Sequence, residues 1–159
     1  MSIFETTTLD AAGITPGSPA GTAAETRANI LDMGQAVEAA VLRPLYTGGL
    51  AHDLRAALAA RIARLNGDEA LALRYLDGAG DKAALADPAE PGEGREAVML
   101  AFMDKVAART RDVAAEDISA LQAEGISDAD IVKLCELNAF MAYQIRVIAG
   151  LRLMKGEAA

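Results

Sequence analysis

Residues 52–67 read His52-Asp-Leu-Arg-Ala-Ala-Leu-Ala-Ala-Arg-Ile-Ala-Arg-Leu-Asn-Gly67. Leu54, Leu58, Ile62 and Leu65 fall on one stripe at helical spacing, with Arg55 and Arg64 among the flanking charges, so the stretch reads as an amphipathic α-helix. Asn66-Gly67 interrupts it. Asp68 and Glu69 then start a short helix to about Leu76, because carboxylates are favoured at the positive end of a helix dipole. The bias toward small aliphatic residues extends over the chain, which is 52% hydrophobic but only 4% aromatic and reads as all-α.

Working outward, the prolines at 16 and 19 and the surrounding glycines assign residues 1–21 to an extended N-terminal arm, since each proline disfavours helix at the residue before it. Thr22 can cap a helix carrying Ile30, Met33, Val37 and Val41, with Pro44 and Gly48-Gly49 ending it. Gly78 to Gly94 reads as a surface loop. Helices follow over residues 95–109 and 117–124, the second stopped by Gly125, and Ser127 opens a long one that runs to Met154. No sustained period-two pattern offers a strand. The expectation is one domain over residues 22–155, of six or seven helices.

Charge narrows the function classes. With 15 Lys+Arg against 23 Asp+Glu the net charge is −8, and there is no Trp and no basic run, which argues against nucleic acid and anionic membrane surfaces. The segment Leu137 to Leu153 is interrupted by Asn138, Gln144, Arg146 and Arg152 and should not span a bilayer. The opening Met-Ser-Ile-Phe-Glu has no basic stretch followed by an apolar core, so no secretory signal and a cytoplasmic location are expected.

Most chemistries lack their residues. The one histidine, His52, is the single base candidate for a nucleophile system and reads as an exposed first-turn residue. One Cys and one His are too few for zinc, and no Glu-x-x-His pair is present for a carboxylate-bridged metal site, so no metal or cofactor is expected. Cys135, on the long apolar helix, reads as a buried, inert thiol.

The phrase Leu54 to Gly67, the segment Ala101-Phe-Met-Asp-Lys-Val-Ala, the run Asp117 to Ile131 and Ala139-Phe-Met-Ala-Tyr-Gln-Ile-Arg146 together resemble the carboxymuconolactone decarboxylase and alkylhydroperoxidase D superfamily, in its peroxidase-related branch. The resemblance covers about residues 25 to 154 by pattern. It implies an all-α fold that assembles as trimers or hexamers, and a thiol peroxidase site of Glu, Cys-x-x-Cys and His. Laid on this chain, those positions are Ala56, Asp68, Leu71 and Tyr75, and all four differ from the motif. Peroxide reduction by a thiol pair needs one thiolate to attack and a second thiol to resolve the sulfenic acid, so this chain with its single Cys135 cannot do it alone.

The expectation that follows is a degenerate member without the redox pair: a small-molecule-binding or non-catalytic homo-oligomeric subunit, with an active paralogue as a further partner. The rival is a cofactor-free decarboxylase or lyase acting on a small acid or lactone, with Asp68, Glu69 and Tyr75 as catalytic candidates. Asp68 and Glu69 also read as an ordinary helix start. Arg74, Asn138 and Arg146 are the expected pocket or structural polar groups. Arg146 faces small residues and is expected to be buried against a carboxylate, Asp104 or Glu38. The long helix, apolar on every side, is expected to need a partner subunit to cover it.

Overall fold

A computed structural model describes residues 2–156, and in them the regular structure is all helical. A short 3-10 turn, Ile3–Glu5, leads into α1 (Thr7–Ala11), α2 (Pro19–Glu25), α3 (Ala28–Leu42), α4 (His52–Leu65) and α5 (Glu69–Leu76); α6 (Gly94–Ala108), α7 (Ala115–Ala123) and α8 (Asp128–Lys155) complete the fold. Further 3-10 segments lie at Gly80–Ala86 and Thr110–Asp112, and no strand occurs among the described residues. None of the helices is long and apolar enough to cross a membrane.

Local chemistry sets the boundaries. Ser127 accepts the Asp130 amide to start α8, and Asp68 accepts the Leu71 amide to start α5. Gly125 closes the turn after α7 at φ 74°, a conformation that costs a side-chain-bearing residue.

The N-terminal segment is not the extended arm expected of it. Pro16 and Pro19 suggested a break. However, Pro19 stands at the first position of α2, where a missing N–H costs nothing, and Ser18 caps that helix through the Gly21 amide. Ahead of it, α1 is docked on the core: Leu9 is fully buried, and the Thr7 amide donates to Gln35 Oε1 on α3 at 2.7 Å. The helix expected to open at Thr22 is in fact two, broken at Thr26-Arg27. Together these differences raise the count from six or seven to eight α-helices among the described residues.

The centre of the fold is α4. Every residue from Leu54 to Ala63 is buried, so it is not the one-striped helix its leucines suggested. Five alanines let neighbours approach from all sides, and α5, α6, α8 and the Gly80–Ala86 segment pack around it. Such close approach buries loop carbonyls, which then need donors. Two arginines of α4 supply them. Arg55 donates from Nε to the Leu50 carbonyl at 2.8 Å, from Nη1 to Val41 at 2.9 Å and from Nη2 to Thr47 at 2.9 Å, clamping the end of α3 and the loop that follows. Arg61 grips both oxygens of Asp104 on α6 at 2.6 and 2.7 Å and donates to the carbonyls of Leu85, Asp87, Pro88 and Glu90. The glycine-rich 78–94 loop is therefore folded back onto the core.

These clamps correct the expectation for Arg146. Its side is a coherent face of α8, with Val132, Cys135, Ala139, Tyr143 and Gly150, but that face is exposed: small residues leave room for solvent as readily as for a helix. The two acids proposed for it are taken elsewhere, Asp104 by Arg61 and Glu38 by Thr7 and Gln144. α8 is accordingly not covered all round, and Cys135 is exposed rather than buried. Removing one partner of a buried pair strands the other, so Arg61→Ala should lower stability by about 3 to 5 kcal/mol. Arg146→Ala should change it by less than about 0.5 kcal/mol. Urea melts of the two variants check the contrast, and equal losses would reverse the assignment.

Candidate functional site

The ends of α3 and α5 and the start of α4 meet around a cleft of about 100 Å³, lined by Leu42, Arg43, His52, Ala56, Arg74, Tyr75 and Gly78. Each side chain arrives for a local reason. Arg43 is the C-terminal cap residue of α3, where the chain leaves the helix ahead of Pro44. His52 opens α4 and donates from Nε2 to the Pro44 carbonyl at 3.0 Å, which leaves Nδ1 as the ring's other polar atom. Arg74 and Tyr75 stand in the last turn of α5, and the chain after it approaches α4 closely: a Cβ on Gly78 would sit a tight 3.3 Å from that of Ala56.

Behind the cleft runs a buried polar chain that ties four helices together. The Tyr75 hydroxyl on α5 donates to Gln144 Oε1 on α8, and Gln144 Nε2 donates to Glu38 Oε2 on α3 at 2.8 Å. Thr7 Oγ1 on α1 donates to Glu38 Oε1, also at 2.8 Å. Gln144 is completely shielded from solvent and Glu38 nearly so. With no cation bonded to it among the described residues, the carboxylate depends on these neutral donors. Burial, reinforced by the Glu38 charge, pushes the Tyr75 phenol far above its ordinary range. Tyr75 is therefore a proton donor locked to Gln144 and is no base near neutral pH.

The sequence candidates scatter. Asp68 is buried, but its oxygens are occupied by the Leu71 amide and by Arg152, whose Nη1 lies 2.8 Å from Oδ2. Arg152 also donates to the Ala11 carbonyl, so this pair ties α8 to the starts of α5 and the end of α1. Glu69 is on the surface, paired with Arg64 at 3.1 Å. Arg74 is half exposed and pairs with Asp10 across to α1. Asn138 is buried and donates to the Met103 carbonyl at 2.9 Å, a helix-to-helix tie of α8 to α6. Of the three catalytic candidates only Tyr75 reaches the cleft, and Arg146 is absent from its lining.

Sequence reasoning missed Arg43 and the Glu38–Gln144 connection. A signal for the latter was available: Glu38 lies seven residues, two helical turns, after Leu31 and shares its buried side of α3, and Gln144 interrupts an apolar run. Cys135 lies on the exposed face of α8, and its thiol is raised by partial burial and by the neighbouring Glu136, which disfavours the reactive thiolate. Among the described residues no group of three or more His, Cys, Asp or Glu is arranged to hold a metal ion.

No protein-family model, curated protein or solved structure matches the chain.

Because its folded-state pKa is raised, Tyr75 contributes stability that is complete below the ordinary tyrosine pKa of about 10 and is lost as pH rises above it. The chain has three tyrosines and no Trp, so phenolate absorbance near 295 nm is easily read. One late ionisation step should coincide with loss of helical ellipticity, and Tyr75→Phe should delete that step. A late step that survives the substitution would contradict the buried network.

Proposed function

We propose that the chain is a degenerate relative of the alkylhydroperoxidase D and carboxymuconolactone decarboxylase superfamily that binds a small molecule without redox chemistry, as a homo-oligomeric subunit. The observation that carries this reading is the pairing of Ala56 and Tyr75 in one cleft. The resemblance assigns those two positions, on different helices, to the acid and the histidine of a relay, and here they stand side by side with Ala in place of the acid and a non-basic phenol in place of the histidine. The two cysteine positions carry Asp68, consumed in a cap and an ion pair, and Leu71, fully buried. What the resemblance leaves is the recess without its chemistry. The lyase alternative loses support from the same geometry, because Asp68 and Glu69 face away into structural partnerships.

Oligomerisation, as a trimer or hexamer, is supported by a second feature. Two apolar grooves of about 320 and 380 Å³ share Ile30 and Tyr143 and form one trough along α2, α3 and α8. Met33 is 54% exposed and Met154 61% exposed, more than a monomer needs to show along one seam. A second copy of the chain is the occupant proposed, and a paralogous subunit of the same shape would dock in the same way.

The test combines mass with turnover. Light scattering should give a multimer that Tyr143→Asp reduces to monomer, and NMR should show small acids or lactones perturbing cleft amides with no conversion. A monomer at all concentrations would contradict the subunit reading. Conversion of a ligand that is abolished by Tyr75→Phe would replace non-catalytic binding with the lyase.

A further inference from the structure

The chemistry of the cleft beside Tyr75 divides sharply. Arg43, His52 and Arg74 bring positive or protonatable heads, whereas Leu42, Ala56 and Gly78 bring only carbon or bare backbone. On a chain of net charge −8, such a grouping runs against the prevailing sign of the surface. Nearby acids cancel it only in part. Asp10 pairs with Arg74, and Asp53 is engaged with the Leu54 amide at 2.7 Å. Arg43 makes no side-chain hydrogen bond or ion pair among the described residues, so its donors are free to meet a ligand. Size sets the other bound: about 100 Å³ is well below the roughly 300 Å³ at which pockets for drug-sized molecules begin, and is room for about three waters.

We infer that this cleft binds a short-chain carboxylate, its carboxyl group on the guanidiniums of Arg43 and Arg74 and its hydrocarbon end against Ala56. The guanidinium fork matches the two oxygens of a carboxylate. An inorganic phosphate would suit the arginines equally well but would bury its remaining oxygens against Leu42 and Ala56, which offer no donor. A neutral analogue would leave Arg43 without a counter-charge. A long acyl chain exceeds the space. The inference rests on the proposed small-molecule reading and names its ligand class.

The full chain is titrated with sodium propionate at constant ionic strength and followed by amide NMR, with propionamide, inorganic phosphate and octanoate as separate arms. Saturable shifts at Ala56, Tyr75 and Gly78 with propionate, and none with propionamide, are expected. Arg43→Gln, at an exposed position whose side chain bonds to nothing else described, should weaken propionate about tenfold, the loss of one charge-assisted contact, without moving the thermal melt. Phosphate saturating the same amides as tightly as propionate would overturn the inference in favour of a simple anion patch. Octanoate binding there more tightly than propionate would overturn the size argument. Propionamide binding while propionate does not would overturn the carboxylate assignment yet leave the small-molecule reading standing. Failure of every class of small molecule at the cleft would remove both.

Discussion

Two guanidiniums buried on one helix govern how this protein is put together. A chain poor in aromatics has few side chains large enough to fill space between helices, so α4 offers alanines and lets its neighbours come close. Close approach carries loop backbone into the interior, and carbonyls without donors there cost about 1 to 3 kcal/mol each. Arg55 and Arg61 answer seven such carbonyls between them. Arg61 has a carboxylate to balance its charge. Among the described residues Arg55 is bonded only to carbonyls, and burial lowers its pKa from the ordinary value while Asp130 and Glu136 oppose that shift from a distance. An arginine stays charged even so, which is why that position suits arginine better than lysine.

The cleft inherits its shape from these clamps. Arg55 fixes the carbonyls of Val41, Thr47 and Leu50, and the segment it immobilises holds Arg43 and Pro44; His52 follows and bonds back to Pro44. On the other side, Tyr75 is held from behind by Gln144, which is itself held by Glu38 and Thr7. Charged groups at the rim are thus supported by hydrogen bonds in the interior. That arrangement suits recognition of a ligand. Within it the phenol is locked to Gln144, and the single thiol lies on the solvent face of α8.

Much of the helical plan was legible because caps and stops are local. Asp68, Gly125 and Ser127 mark element ends through bonds or dihedrals that involve their immediate neighbours. The N-terminal arm was misread because Pro19 breaks a helix that precedes it but begins one that follows, and residue type does not distinguish the two. The arginines were harder still. Arg55 and Arg61 are as polar as Arg146 in any periodicity count, yet the first two are core residues and the third is exposed. What separates them is where loop carbonyls from distant segments arrive, which is tertiary information. The same holds for the site: Tyr75 was identifiable on α5, but its company, Arg43 and His52, depends on the Arg55 clamp.

Hydrogen exchange on the Arg55→Met and Arg61→Met variants, read segment by segment, tests this arrangement most directly. The account predicts that the first variant loses protection over residues 43–51 and the second over residues 78–93, while α8 keeps its protection in both. Equal loosening of every helix in either variant, or unchanged exchange in both loops, would contradict it.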